Sequence, residues 1–176
     1  MTSTTYPGVD ARLRACAARR VAAMLTGPVL LAAGVTSAAQ AHADNHRLND
    51  SVISNVYTIQ HNGGCINDVR KSAQLQLAAQ WHTDDLMANR NLNGDIGSDE
   101  STVIDRARAA GFHGAVAETV AINPAVAISG IEILDQWYYD PHAMAIIQNC
   151  ANSLIGVWSQ NSLDRTVVVA VYGAPT

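Results

Sequence analysis

Glu118 is the residue whose chemical type and position ask most of the surrounding fold. It lies in a run where Val116, Glu118, Val120 and Ile122 alternate with small residues. Alternation of this kind reads as a strand with one face against an apolar layer. The carboxylate then points inward with the valines, where it is costly unless paired or hydrogen-bonded. Two readings stand: a structural carboxylate tying the sheet to a neighbouring loop, or a group lining a cleft. His82 shares a helical stripe with Leu75, Ala79 and Leu86, which reads as a hydrogen-bonded core histidine or, less simply, a ligand. His61 and His113 fall at helix ends or in loops and carry no assignment. The sequence contains no Gly-x-Ser-x-Gly elbow, no His-Glu-x-x-His and no glycine-rich phosphate loop. No serine or cysteine nucleophile therefore has a recognisable setting.

The amino-terminal 43 residues have the layout of an export signal. Arg12, Arg14, Arg19 and Arg20 precede an apolar stretch from Val21 to Gly34, broken by Gly27 and Pro28. Ala41-His42-Ala43 is a small-x-small cleavage site, followed by polar Asp44 and Asn45. The stretch is too short and interrupted to read as a membrane span, although an uncleaved anchor is the alternative. Arg19-Arg20 permits a twin-arginine route, with poorly matching flanks. The expectation is a signal peptide over 1–43 and one domain over 44–176, secreted or held in the cell envelope, with no stable span after cleavage.

Cys16 leaves with the signal. Cys65 and Cys150 remain, and in an exported protein they suggest a disulfide. It would close a long loop and contribute about 4 kcal/mol in the chain-entropy treatment. The alternative is two separate buried thiols; two cysteines cannot complete a closed zinc site. The whole chain has 176 residues, 48% hydrophobic and 15% charged, with net charge −4. Such a composition suits a soluble globular domain. The signal holds four of the basic residues and one acidic residue, so its removal takes the net charge to −7. Acidity without a Lys/Arg cluster argues against nucleic acid or an anionic membrane as partner.

These residues need elements to hold them. Leu48, Val52, Val56 and Ile59 predict a helix capped by Asn49 or Asp50 and ending at Asn62-Gly63-Gly64. Ser72 opens a longer helix, with Leu77, Trp81 and Ala88 on its second stripe, which Asn93-Gly94 ends. Residues 93–101 are a loop, and Thr102 to Ala110 is a short helix stopped by Gly111. After the Glu118 strand, Asn123-Pro124 reads as a cap and first helical residue. The helix runs to about Tyr139, with Ala127, Ile131, Leu134 and Tyr138 on one face, and Pro141 ends it. Ser153 to Trp158 and Thr166 to Val171 are strands around a turn at 160–164. The second is apolar on both faces and so belongs in the centre of a sheet sandwiched between helical layers. Trp81, Trp137, Trp158 and Tyr138 read as core residues, with an apolar groove as the alternative.

Several stretches, taken in order, resemble the CAP family: cysteine-rich secretory proteins, antigen 5 and pathogenesis-related group-one proteins, also called SCP-like. They are 78–88 (AAQWHTDDLMA), Leu92 to Arg106, Ala109-Ala110-Gly111-Phe112, Ala117-Glu118-Thr119-Val120-Ala121, Trp137-Tyr138-Tyr139-Asp140-Pro141 and Gly156-Val157-Trp158 with the last strand. The resemblance implies an α+β fold, a three-layer α-β-α sandwich. It also implies a cleft where well-kept members place two histidines and two acidic residues able to hold a divalent metal. Carried over by position, Asp95 stands at the first histidine, Glu118 at the first glutamate and Asp140 at the second acidic place. Ala143 falls at the second histidine, with His142 one residue away.

The resemblance therefore makes Asp95, Glu118, Asp140 and His142 the cleft candidates. Asp95, Glu118 and Asp140 would form an acidic cluster that suits Ca²⁺ better than Zn²⁺, and no other cofactor is implied. Against this, Asp95 reads as a turn residue and Asp140 as an exposed helix end. His142 is rotated by about 100° from the vacant histidine place, which suits a solvent-exposed side chain. With both histidine positions lost, the expectation is a non-catalytic extracellular module with a degenerate cleft. It would bind a sterol, an acyl lipid or a protein partner. The alternatives are a metal-dependent hydrolase using the carboxylates and a structural protein without a small ligand, since one fold hosts many activities.

Overall fold

The computed structural model describes residues 45–124 and 129–175. The signal expected over residues 1–43 lies outside them. Helix α1 (His46–Asn62) buries Val52 and Val56, as their spacing requires, and ends at Gly63-Gly64. Gly64 takes φ 94°, a left-handed turn open to glycine. A two-residue strand, β1 (Arg70–Lys71), follows, and the sequence pattern does not announce it. Ser72 caps α2 (Ala73–Ala88), its hydroxyl accepting from the Leu75 amide. Thr102 caps α3 (Val103–Ala109) in a reciprocal box with Asp105. Strand β2 (Ala115–Asn123) and helices α4 (Gly130–Tyr138) and α5 (Pro141–Ile147) come next. Strands β3 (Leu154–Asn161) and β4 (Thr166–Ala174) close the chain.

The sheet order is β1-β3-β4-β2, with β1 parallel to β3 and the other pairs antiparallel. β4 is buried along nearly its whole length and lies between two strands, as its unbroken apolar run demands. Alternate residues of β4 serve opposite layers. Val168, Ala170 and Tyr172 meet Val52, Val56, Ile133, Trp137 and Ile147 from α1, α4 and α5. Val167, Val169 and Val171 meet Leu75, Ala79, Leu86 and Ala107 from α2 and α3. The result is the expected α+β, three-layer α-β-α sandwich. Helix α2 rests directly on β3: a Cβ at Gly156 would lie 2.0 Å from the Gln76 amide nitrogen. Cys65 and Cys150 form the disulfide, joining the end of α1 to the link between α5 and β3.

Local readings of the sequence differ from the structure in several places. α2 stops at Ala88, before Asn93-Gly94, where the Asn89 amide and side chain both bond back to Asp85. Asn49 and Asp50 lie inside α1 rather than capping it. Asn123 does not cap a helix, because β2 runs through it in register with Thr166. α4 begins only at Gly130, behind a Ser129–Glu132 capping box; Ala127 lies outside the described residues. Pro141 separates two helices, and it is the first residue of the second. Trp137 is core, its indole N–H donating to the Val120 carbonyl at 3.0 Å. Trp81 and Tyr138 are 39% and 60% exposed and are not core residues.

Candidate functional site

Register places Glu118 opposite Val171, on the face of β2 turned toward α2 and α3. Its carboxylate is buried and meets two side chains from those helices. Arg106 on α3 donates through Nη2 to Oε1 at 3.0 Å and to Oε2 at 3.2 Å. His82 on α2 brings Nδ1 to 2.8 Å from Oε1. The same Nδ1 lies 2.9 Å from Arg106 Nη2, so it faces one donor and one acceptor. Arg106 also donates to the carbonyls of Ser101, at 2.7 Å, and Asp95, at 2.8 Å. One cation and one anion thus neutralise each other inside the domain, and Arg106 pins the 95–101 loop to the sheet. His82 is the hydrogen-bonded core histidine that its stripe suggested.

Two clefts flank this cluster. One, of about 250 Å³, is lined in part by Gly94, Asp95, Glu118, Trp137, Asp140 and His142. All four residues carried over from the resemblance therefore line one cleft. Two of the four, Glu118 and Asp140, have side-chain partners of their own. Both Glu118 oxygens are engaged by Arg106. Asp140 Oδ1 caps α5, accepting from the amides of His142 at 2.8 Å and Ala143 at 3.4 Å. Among the described residues, no three His, Cys, Asp or Glu side chains are grouped so that they could hold a metal ion.

The second cleft, of about 470 Å³, lies beyond His82 and Arg106 and takes in Trp81, Asp85, Ser98 and Asp105. Burial pushes the Asp85 carboxyl up, but stronger opposition holds it below the ordinary carboxylate range, chiefly hydrogen bonds from the Ser98 hydroxyl and amide and one from Asn89. The Ser98 bonds are 2.6 and 2.7 Å long. Arg106 is the site residue that the sequence reading missed. It closes the Leu92 to Arg106 stretch of the resemblance, and its local signal was position: it falls beside Ala107 on the buried side of α3, where an arginine needs an anion within reach.

This arrangement of layers has been seen before. An outer surface protein from Borrelia burgdorferi superposes with a TM-score of 0.68 at 14% identity, covering 77% of this chain and 98% of that one. An extracellular protein containing a SCP domain from Bacillus anthracis gives 0.61 at 14% identity, over 72% of this chain and 40% of that one. The fold is that of the SCP, or CAP, domain. A cysteine-rich secretory protein from Staphylococcus aureus gives 0.55 at 9% identity, over 73% and 39% of the two chains. The chain thus spans about 40% of the length of two of these CAP-fold neighbours. No family profile and no curated protein matches the sequence. No described helix of this CAP fold is long and apolar enough to cross a membrane.

Proposed function

We propose that this chain is an extracellular CAP-fold binding module that performs no catalysis of its own. The observation that carries the reading is the neutralised Glu118. A general base must offer a lone pair within reach of the proton it takes. Glu118 lines the cleft, but both of its oxygens are held by Arg106. One oxygen of Asp140, Oδ1, is committed to the start of α5. What remains at the surface is a small cleft with Asp95, Asp140 and His142 on its walls, suited to recognition by shape and hydrogen bonding. Extracellular placement is supported by the export-signal layout and the disulfide. It is also supported by neighbours described as outer-surface and extracellular proteins.

A metal-assisted hydrolase is favoured by one fact, the shared cleft of Asp95, Glu118, Asp140 and His142. Isothermal titration with Ca²⁺, with Zn²⁺ and with a panel of sterols and acyl lipids separates the readings. The binding module gives no saturable heat with either ion, and turnover of peptide or ester substrates is not stimulated by them. Saturable metal binding that disappears in Asp140→Ala and His142→Ala, together with metal-dependent turnover, overturns it.

A further inference from the structure

Among the described residues two arginines are deeply buried, Arg106 and Arg165, 6% and 7% exposed. Arg106 has Glu118. Arg165, just ahead of β4, has no acidic partner among the described residues. Its Nη2 donates to the Leu92 carbonyl at 3.0 Å, and its Nε is buried with no hydrogen bond. The adjacent carboxylate, Asp164, lines the same cleft as Arg165 but is held in a two-pronged pair with Arg90, both bonds 2.9 Å, and also accepts from Ser162 Oγ. A buried guanidinium without a counter-charge is strongly unfavourable, and a fold that keeps one has a use for an anion at that point.

The surroundings say which anion. Arg165 lines a cleft of about 420 Å³ whose other walls include Leu92, Val120, Ile122 and Pro124. That size lies within the range of small-molecule sites. Since Arg90 and Asp164 cancel each other, the cleft has one uncompensated positive charge. A single negative charge balances it; a phosphate dianion leaves an excess. A planar carboxylate matches the two-pronged geometry of a guanidinium, and the aliphatic walls favour an apolar body behind it. The neighbouring Glu118 cleft shares Asn93 and Val120 with it, and its described lining includes no arginine or lysine.

We infer that the Arg165 cleft is a binding site for monocarboxylic acids with an apolar body, the carboxylate seated on the Arg165 guanidinium. This does not rest on any role for the Glu118 cleft. The test is isothermal titration of the full chain with octanoate and phenylacetate, which separate an acyl chain from an aryl body. Octanamide, phenylacetamide and inorganic phosphate are the controls, and amide chemical shifts locate the site. At least one acid binds saturably, with its amide and phosphate weaker by at least about tenfold. Shifts concentrate at Leu92, Val120 and Ile122, and Arg165→Gln weakens the acid by a similar factor. The inference fails if neither acid binds, if an amide or phosphate binds as well as the acids, or if a folded Arg165→Gln protein keeps its affinity. It also fails if the shifts gather at Asp140 and His142. Should Arg165→Gln not fold, the acid–amide comparison on the unaltered protein still decides.

Discussion

Arg106 holds the Glu118 carboxylate, the Asp95 and Ser101 carbonyls and the His82 ring with one guanidinium. Its removal leaves a carboxylate buried without its cation, a change that typically costs about 3–5 kcal/mol. Arg106→Met is expected to lose that much in urea unfolding. Adding Glu118→Gln to it should recover part of the loss, because the stranded charge is gone. Absence of any recovery would mean that the arginine acts through the loop carbonyls alone. A different pattern is expected at Asp85, whose carboxyl is held below the usual range against the upward push of burial. A depressed folded pKa stabilises the fold above the ordinary carboxylate value, and that contribution is lost as pH falls through the depressed one. Ser98→Ala removes the hydroxyl donor to Asp85. It is expected to cost about 0.5–1 kcal/mol at neutral pH, discounted for partial exposure. Because protonated Asp85 no longer needs that donor, the gap between variant and parent should narrow in acid. Thermal melts from pH 7 down to pH 2 would read this; a constant gap means that the Ser98 contribution is independent of the Asp85 charge.

At the scale of elements, Asp140 shows how a residue that looks like a ligand can instead be a cap. Its carboxylate accepts from the first amides of α5, and a lost cap of this type costs about 1 kcal/mol. Asp140→Ala should lower stability by that amount, and Asp140→Asn or Asp140→Ser should restore most of it, since any side-chain acceptor can cap. Failure of both replacements would return Asp140 to a role that needs its charge. The cap also explains what was legible. β4 was readable because five consecutive apolar residues, 167–171, allow only a doubly covered strand. The end of α1 was readable because Gly63-Gly64 acts locally. Asn123-Pro124 misled because the ladder with β4 outweighs local cap preference, and Pro124 then ends the strand by lacking an N–H. The Ser129–Glu132 box was the true start signal, only six residues later. Glu118 was legible as an inward carboxylate from strand alternation alone. Its partners were not, because they arrive from two helices, 36 and 12 residues away in sequence, and local pattern does not register such distances.

At the scale of the whole molecule, the question is what the single covalent tie contributes to a fold that already packs two helical layers onto one sheet. Cys65 and Cys150 are 85 residues apart, so the closed loop contains β1, α2, α3, β2, α4 and α5. The same junction has non-covalent ties. Gln60 donates to the Asn152 carbonyl at 3.1 Å, and Asn67 donates to the Cys150 carbonyl at 3.0 Å. The folded geometry around the bridge is therefore specified without the sulfur–sulfur bond, which acts chiefly by restricting the unfolded chain. A loop this long is worth about 4 kcal/mol in the chain-entropy treatment, and removing native bridges from small domains costs about 2–5 kcal/mol. The double variant Cys65→Ser with Cys150→Ser is accordingly expected to remain folded at 25 °C with an unchanged near-ultraviolet spectrum. Its melting temperature should fall by on the order of 10 °C. Its urea m-value should rise, because an unlinked chain exposes more surface when it unfolds. If the m-value stays fixed while the folded spectrum changes, the bridge is shaping the native packing at the α1 end, and the hydrogen bonds of Gln60 and Asn67 depend on it.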